Sequence, residues 1–367
     1  MKRAIFLLLA ITGCLFTSCE NGDWEFPDYE YTAVYFAYQS PIRTICLGED
    51  VFDTTLDNAH KCQIMATMGG VYENKKNIEI GIRVDNSLCD GLIYKDLNTE
   101  VVAMPSNYYT LSSDKIVIEK GKLLGGVTVQ LTDAFFNDPK SLETTYVIPV
   151  VMTSVNNADS ILSGTPLVAN PRRAVASDWD VLPKDYILYA VKYINTWDGY
   201  YLRRGTDVVT INGVTTNVTR QQQYVEKDEV FKLNTYSLSD CEFPAVYENA
   251  AGVNLPVSSR LSFDRNDECT ITPSATSVQV NDSVRIYNIT SSGSGKFVKL
   301  GEKNSWGNKD RDGMYLKYET GFEVEMTFPN TPGGKEPVYE KHHYKTDDIL
   351  VARDRGMKAE WFTPAEK

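Results

Sequence analysis

Histidine, the most common general base in enzymes, occurs only three times in this 367-residue chain, as His60, His342 and His343. A GxSxG nucleophile elbow and a CxxC pair are both missing from the sequence. His342 and His343 are adjacent in an alternating segment, so on a strand they point to opposite faces and do not readily share one metal ion. The sequence therefore gives little support to nucleophilic catalysis, to a zinc site or to a redox dithiol.

Positive charge is also scarce. The chain has 37 Lys and Arg against 49 Asp and Glu, which gives a net charge of −12 and an isoelectric point of about 4.9. An acidic protein repels phosphate backbones, so nucleic acid is not an expected partner. Beyond the N-terminal residues, the longest apolar runs, such as Tyr146 to Met152, have the length of a strand and not of a membrane span.

Long helical periods are missing as well, and strand-like alternation takes their place. Ile78 to Val84 is apolar at every second position, which is typical of a half-buried strand. Ile116 to Ile118 and Val127 to Leu131 lie on either side of a turn that contains Gly121. These patterns predict an all-β fold, with a β-sandwich followed by a second antiparallel β-barrel or sandwich.

The first 18 residues have the composition of a signal peptide. Lys2 and Arg3 precede an apolar run from Ala4 to Ile11 that is too short for a stable transmembrane helix. Ser18 before Cys19 resembles the bacterial lipobox, in which the cysteine is acylated and becomes the N-terminus of the mature chain. The resemblance implies a lipid-anchored exported protein, held on a membrane only through its anchor. A plain signal peptide with an incidental cysteine is the alternative.

Five cysteines remain beyond the lipobox: Cys46, Cys62, Cys89, Cys241 and Cys269. An odd number cannot form a complete disulfide framework. The sequence favours buried, reduced thiols that act as small apolar side chains. A Cys46–Cys62 or a Cys241–Cys269 bridge is the alternative.

The expected domain boundary lies where the alternation stops. Asn170 to Arg173 and Ser177 to Asp180 are polar and interrupt the strand pattern. The predicted organisation is a signal peptide at 1–18, a lipidated tether at 19–30, a sandwich at 31–168, a linker at 169–183 and a second β-domain at 184–367. Proteolysis in the linker is therefore expected to leave two folded fragments.

Both halves resemble domains of Bacteroidetes surface lipoproteins. The residues that carry the resemblance are Asn107 to Ser112, Ile116 to Gly121, Val127 to Leu131, Tyr146 to Pro149, Trp197 to Gly205 and Val351 to Gly356. The resemblance implies an immunoglobulin-like N-terminal sandwich and an uncharacterised β-domain behind it. In setting the chain is similar to SusE-type accessory lipoproteins, which accompany TonB-dependent glycan importers in the outer membrane. Acidic residues after Cys19, among them Glu20, Asp23 and Glu25, resemble surface-export signals of such lipoproteins.

Glycan binding needs aromatic faces that stack on sugar rings, with polar groups nearby to bond the hydroxyls. Trp306 lies in a turn-like polar segment with Asn304 and Asp310, and it is the first candidate platform. Trp197 and Tyr200 are further candidates. The alternatives are that Trp306 caps one end of a barrel and that Trp197 packs in the core.

A calcium-loop spacing overlaps this turn. Asn308, Asp310, Asp312 and, further on, Glu319 match the oxygen-ligand positions of an EF-hand loop, apart from Asn at the first position. The segment after Gly313 alternates like a strand, however, whereas an EF-hand needs helices on both sides. The alternative is a hairpin turn, and no other cofactor is expected.

Taken together, these features favour a lipoprotein on the outer face of the outer membrane that captures a polysaccharide or oligosaccharide for a TonB-dependent importer, without catalysis. The expected binding site is on the second domain, with the first domain as a spacer. A structural or adhesive protein that binds other proteins is the alternative. A glycoside hydrolase with an unrecognised site is the third hypothesis. The DxxDxDxE signature of chitinase-like domains is missing, and the strands have no helices between them for an α/β barrel.

Overall fold

A computed structural model describes residues 30–249, 251–328 and 336–367. The signal peptide, Cys19 and all but the last residue of the tether lie outside these described residues. Among the described residues, no helix combines the length and the apolar character needed to cross a bilayer.

Strands dominate the described chain, as the sequence predicts. Strands β1 to β15 are Ala33–Tyr35, Pro41–Cys46, Lys61–Gly69, Ile78–Val84, Leu92–Tyr94, Thr99–Glu100, Val102–Ala103, Tyr109–Leu111, Lys115–Ile118, Leu124–Leu131, Tyr146–Asn156, Ser160–Ile161, Thr165–Pro166, Trp179–Val181 and Tyr186–Ile194. Strands β16 to β27 are Gly199–Ile211, Val214–Arg220, Glu229–Thr235, Asp240–Glu248, Asn254–Phe263, Glu268–Pro273, Ser277–Asn281, Val284–Glu302, Arg311–Met326, Val338–Asp354, Glu360–Trp361 and Pro364–Glu366. Helices α1 (Thr55–Asn58) and α2 (Asp133–Phe136) are single turns, and the 3-10 turns are Asn86–Cys89, Pro139–Leu142, Ala176–Asp178, Val225–Lys227 and Trp306–Asn308.

The first domain is a sandwich of two sheets. One sheet has the strand order β12-β1-β3-β10-β8, and the other has the order β26-β2-β15-β11-β4-β9, with β7 added on β11. Alternate residues of each sheet point inwards, so the sequence pattern at Ile78 to Val84 places Ile78, Ile80 and Ile82 in the core. Facing them, β3 and β10 contribute Ile64 and Val129, both fully buried. The all-β prediction is confirmed.

The first sandwich extends further along the chain than the predicted boundary. Strand β15 pairs with β11 in antiparallel register, Ile148 against Tyr189, and with β2 in parallel register, Thr44 against Lys192. It thus lies in the middle of the second sheet, although the sequence analysis assigned it to the second domain. Its alternating side chains Ile187, Tyr189, Val191 and Tyr193 complete the core of the first sandwich. Alternation alone could not reveal that β15 belongs to the first sandwich, because an alternating pattern does not identify a strand's partners.

The second domain is a closed antiparallel barrel. Its strands follow the order β16-β18-β19-β20-β21-β23-β24-β25, and β25 pairs back onto β16, from Tyr200 against Asp354 to Ile211 against His342. Strand β17 pairs with the second half of β16, and β22 pairs with the first part of β23. Closure gives each of the eight barrel strands a partner on both sides. Of the two predicted architectures for this domain, the barrel is the one observed.

The barrel interior has an apolar layer at each end and a charged layer between them. On β16, Tyr201 belongs to one apolar cluster and Val209 to the other, while Arg203 and Asp207 lie between them and are buried. On β25, Leu350 and Tyr344 frame the buried Asp348 in the same way. Buried charges are tolerated only when they are paired, and these are.

Two arginines and two aspartates form a network of ion pairs in this charged layer. Arg203 Nε donates to Asp348 Oδ2 at 3.0 Å, and Arg220 reaches in from β17 to Asp207 at 2.5 Å and to the other Asp348 oxygen at 2.5 Å. The Tyr318 hydroxyl donates to Asp348 at 2.9 Å, and Thr346 donates to Asp207 at 2.7 Å. The charges balance, so the layer joins β16, β17, β24 and β25 without a net buried charge.

All five cysteines of the described chain are buried and free. The predicted reduced thiols are confirmed, and neither alternative bridge forms. Burial raises the pKa of Cys46 to about 11 and that of Cys62 to about 12. At neutral pH these thiols are therefore protonated and behave as small apolar side chains.

Candidate functional site: a groove between the two domains

The chain leaves the barrel at the end of β25 and returns to the sandwich. Gly356 makes the turn with a φ of +64°, and a Cβ there would lie 2.8 Å from the Tyr200 ring. The chain then adds β26 to the edge of the sandwich, with Glu360 opposite Ile42 and Trp361 opposite Pro41. Residues 355–361 therefore bridge the two domains.

Arg355 holds this bridging segment in place through hydrogen bonds to both domains. Its guanidinium donates to four backbone carbonyl oxygens: Leu47 at 2.7 Å, Asp198 at 2.9 Å, Glu49 at 3.5 Å, and Asn195. Leu47 and Glu49 belong to the sandwich, whereas Asn195 and Asp198 lie at the start of the barrel. One side chain thus holds a sandwich loop, the domain junction and the end of the barrel together.

The bridging segment separates two adjoining cavities, of about 460 and 250 Å³, which we call the interdomain groove. Thr44, Met357, Lys358 and Glu360 line both cavities. The remaining lining residues are Tyr38, Pro41, Ile42, Arg43, Phe52, Ala359 and Trp361 on one side, and Leu142, Lys192, Ile194, Asp198, Tyr200, Lys232, Asn234, Arg355 and Gly356 on the other. The groove thus combines residues from both domains.

Exposed aromatic rings lie along this groove. Trp361 is 54% exposed and Tyr38 is 59% exposed, and their ring centroids are 5.6 Å apart with the planes tilted by 47°. Tyr200, in the second cavity, is 37% exposed. Large aromatic rings left in water at a concave surface can stack on a flat apolar ligand face.

The polar side chains around these rings are held in place by neighbours. Lys192 Nζ lies 2.8 Å from Glu360, and Lys232 is paired with Asp198. Asp198 also accepts from the backbone N–H of Thr235 at 2.6 Å. Fixed ammonium and carboxylate groups beside exposed rings provide donors and acceptors for a hydroxyl-rich ligand.

Tyr200 is the one predicted aromatic that lies in the groove. It stands on β16, and its neighbour Tyr201 points into the barrel, as alternation requires. Lys232 Nζ lies 5.3 Å from the Tyr200 ring centroid, within cation–π range, and Gly356 packs at its edge. Both contacts fix the ring in the second cavity.

Trp306 is not part of the groove lining. Its indole Nε1 donates to the Ala352 carbonyl oxygen at 3.1 Å, and the Arg311 guanidinium lies 3.5 Å from its ring centroid. Asp310 accepts from the Asn304 backbone N–H at 3.0 Å and pairs with Lys303. Because a guanidinium covers one ring face and the polar neighbours bond one another, this geometry favours the alternative of a ring packed against the barrel.

Trp197 packs in the barrel core. It is only 8% exposed, stacks on Phe263 with a centroid distance of 4.0 Å, and donates through Nε1 to Asp267. The core alternative for this residue thus matches its position, and its ring is not available for stacking on a ligand.

The proposed calcium ligands do not converge. Asp312 accepts from the Leu300 backbone N–H at 2.7 Å, whereas Glu319 pairs with His343 and Lys345 further along the same strand. Seven residues of extended strand separate Asp312 from Glu319 by about 23 Å, which is far beyond any metal coordination sphere. Within the described ranges, no group of three or more His, Cys, Asp or Glu side chains could hold a metal ion. The loop pattern is therefore part of the β23–β24 hairpin, which matches the hairpin-turn alternative for this segment.

Four residues of the groove could not be found from the sequence: Tyr38, Arg355, Lys358 and Trp361. Tyr38 and Trp361 are far apart in the sequence and meet only because β26 returns to β2. The local sequence signal is limited to Lys358, Glu360 and Trp361, which follow Gly356 closely.

The histidines of the described chain do not form a nucleophilic site. His342 is buried, bonds Glu340 at 2.8 Å and Tyr344 at 3.2 Å, and stacks on Phe322. His343 pairs with Glu319 at 3.4 Å on the barrel surface. In the part of the chain that the structure describes, none of the three bonds a serine, threonine or cysteine side chain.

Two family models match the chain. An N-terminal-domain model matches residues 29–159, and a domain of unknown function, DUF5627, matches residues 196–356. The groove residues Lys192, Lys358, Glu360 and Trp361 lie outside both matches, at the junction of the two domains. Among curated proteins, none is significantly similar to this chain.

Solved structures give a closer relative. A crystal structure of a Bacteroides ovatus protein of unknown function has 43% sequence identity and a TM-score of 0.80, and the match covers 92% of this chain and 99% of that one. A Bacteroides ovatus multidomain protein including DUF1735 has 14% identity and a TM-score of 0.39, with 90% and 100% coverage. A Bacteroides ovatus protein named as a proposed carbohydrate binder has 13% identity and a TM-score of 0.27, with 91% and 97% coverage. The last two scores are too low to support an argument.

Proposed function

The chain belongs to the family of the Bacteroides ovatus protein of unknown function, with a DUF5627 barrel behind its N-terminal sandwich, and on that premise we propose that it binds a polysaccharide or oligosaccharide in the interdomain groove without cleaving it. The proposal includes a lipid anchor at Cys19 and a position on the outer face of the outer membrane. There it would hold glycan for a TonB-dependent importer. The lipobox-like Ser18-Cys19 and the family setting support this part of the proposal.

The observation that carries the proposal is the exposed Trp361–Tyr38 pair beside a cavity of about 460 Å³. A sugar ring has an apolar face of C–H groups and a rim of hydroxyls. The tilted ring pair offers two faces for stacking, while Arg43, Lys358 and Glu360 lie close enough to the same cavity to bond the rim. Each stacked ring contributes on the order of 1–2 kcal/mol.

The absence of cleavage is supported by the groove's own carboxylates. A glycosidase needs two carboxyl groups on either side of the scissile bond, one of them free to donate a proton. Glu360 and Asp198, the two carboxylates of the groove, are already bonded to Lys192 and Lys232. Both carboxylates are therefore engaged in ion pairs within the groove, so neither is free to act on a scissile bond.

Calorimetric titration with fractionated plant, fungal and mucin polysaccharides tests the proposal. A soluble chain that begins at residue 20 retains every described residue and can be used directly. Trp361→Ala should weaken binding about tenfold, because one stacking contact of 1–2 kcal/mol is lost. Tyr38→Ala should act in the same direction.

Two variants serve as matched controls. Trp306→Ala removes an indole outside the groove, and Tyr224→Ala removes a tyrosine whose exposure, 57%, is close to that of Tyr38. Both should leave glycan affinity unchanged. If Trp306→Ala weakens binding and Trp361→Ala does not, the site is at the barrel turn and the groove is wrong. Release of reducing ends by the wild-type protein would show an enzyme, and binding of a protein in place of any glycan would show an adhesin.

A further inference from the structure

The charge of the interdomain groove is opposite to that of the protein. The whole chain carries a net charge of −12. The residues that line the groove nevertheless include five cations, Arg43, Lys192, Lys232, Arg355 and Lys358, against two carboxylates, Asp198 and Glu360. A concave surface lined by charges of one sign concentrates ligands of the opposite sign.

Three of the five cations have a carboxylate partner. Lys192 pairs with Glu360 and Lys232 pairs with Asp198. Arg43 pairs with Asp57, whose side chain is almost completely buried. These pairs are close to neutral, so they do not account for an electropositive groove by themselves.

Arg355 and Lys358 are the two cations left over. Arg355 bonds only backbone carbonyl oxygens, which satisfy its N–H groups but carry no net charge to neutralise it. Lys358 is exposed, and it forms no salt bridge with any other residue of the described chain. Both side chains lie on the segment that separates the two cavities. Two uncompensated positive charges therefore stand at the centre of the groove.

We infer that the groove selects an anionic glycan, one that carries carboxylate or sulfate groups on its sugar rings. The inference rests on the proposed function and names the class of glycan. The aromatic pair stacks on the ring, and Lys358 pairs with the acidic group of the same chain. A neutral glycan would leave both positive charges without a partner and would gain only the stacking and hydroxyl contacts.

The direct test compares polymers that differ only in charge. The probes are polygalacturonate against its fully methyl-esterified form, alginate against its esterified form, and chondroitin sulfate against desulfated and esterified chondroitin. Binding of at least one charged polymer should exceed that of its neutral counterpart, and it should weaken steeply between about 0.1 M and about 1 M salt, as the screening length falls from ~10 Å to ~3 Å. Preference for the carboxylated or the sulfated polymers identifies which acidic group the groove takes.

A charge-reversal variant tests whether the preference for charged polymers arises at Lys358. Lys358→Glu should weaken binding of the charged polymer about fivefold or more, in line with the upper range for an exposed ion pair. It should leave thermal unfolding unchanged, since Lys358 makes no bond that the fold requires. Lys122→Glu is the matched control: this lysine is also exposed and unpaired within the described chain, but it lies in the turn after β9, at the opposite edge of the sheet from β26.

The outcomes separate this inference from the proposed function. If a neutral polymer binds as tightly as its charged form, and Trp361→Ala weakens that binding about tenfold while Lys358→Glu does not weaken it, glycan binding stands and anionic selection is wrong. If no polymer binds at all, both are wrong. If Lys122→Glu weakens binding as much as Lys358→Glu, the effect comes from the net charge of the protein, and the groove is not its source.

Discussion

At the scale of single residues, Asp207 shows how the barrel tolerates charge in its interior. Burial alone would raise the pKa of this carboxyl, but hydrogen bonds from Arg220 and Thr346 outweigh it and hold the pKa of Asp207 below its ordinary value. The folded protein therefore stabilises the ionised form of Asp207 more than the unfolded chain does. Such a group stabilises the fold above its unfolded pKa of about 4, and this contribution is lost as the pH falls through the lower folded pKa.

We therefore expect Asp207→Asn to lower the free energy of unfolding by about 3 kcal/mol at neutral pH, because it leaves Arg220 with a weakened buried partner. The difference from wild type should shrink as the pH falls below about 4, because this carboxyl takes up a proton first in the unfolded chain and, at still lower pH, in the folded protein. Urea unfolding followed across this pH range measures both effects. Asp347→Asn, which removes an exposed carboxylate paired with Lys317, should change stability by less than about 1 kcal/mol at every pH. A pH-independent deficit for Asp207→Asn would contradict the assignment.

Sequence patterns predict burial of single residues better than their function. The five cysteines and Trp197 could be assigned to the interior because small apolar thiols and an indole at a strand start usually pack there. Alternation placed Tyr200 and Tyr201 on opposite faces of one strand, but it did not tell which of the two is exposed. Trp361 could not be found in this way, because its exposure and its neighbour Tyr38 depend on a pairing between distant strands.

At the scale of elements, the bridging segment that includes Arg355 determines how the two domains meet. The guanidinium of Arg355 bonds carbonyl groups from two different segments, Leu47 to Glu49 in the sandwich and Asn195 to Asp198 at the start of the barrel. Removing it takes a hydrogen-bond donor away from part-buried carbonyl groups of both segments, and each bond lost costs roughly 1 kcal/mol.

Arg355→Ala should therefore increase hydrogen exchange selectively at the sandwich loop around Leu47 to Glu49 and at the junction Asn195 to Asp198. The central strands of both domains should keep their protection, since the change does not touch either core. Arg353→Ala is the control, because Arg353 is exposed and pairs only with Asp354 at 3.4 Å. Equal exchange in the two variants would mean that Arg355 does not couple the domains.

Individual strands were predicted well from alternation, and their partners were not. The segment Ile78 to Val84 has the same bounds as β4, and Ile116 to Ile118 and Val127 to Leu131 lie within β9 and β10. Alternation reports which face of a strand is apolar, and the apolar face was buried in each case. Alternation carries no information on whether the partner lies near or far in sequence. The pairing of β15 and of β26 with β2 could therefore not be predicted.

At the scale of the whole molecule, the pairing of β15 with β11 determines what proteolysis between the domains can separate. The exposed hairpin of β13 and β14 lies between residues 165 and 181 and is the natural site for a protease. A cut there separates β15 from β11 along the chain, but the two strands still pair across six residue positions inside the sandwich.

We expect the nicked protein to migrate as two fragments in denaturing gels and as one particle in native gel filtration. The second fragment should carry β15, which the first fragment needs to complete its core. Adding urea to the nicked protein should release the fragments only as the sandwich unfolds. Two fragments that separate without denaturant would support the predicted linker at 169–183 and would contradict the observed boundary.

The return of the chain to its first domain also affects the order of folding. Lys367 pairs with Glu100 at a separation of 267 residues, and Arg355 bonds Leu47 at a separation of 308. Such a topology has a high contact order, and the first sandwich lacks an edge strand until residues 360–366 have been synthesised. A nascent chain emerging from the ribosome cannot finish its N-terminal domain first, as most multidomain chains do. On our proposal that the chain is exported, this late completion of the first sandwich favours the unfolded state that an export channel requires.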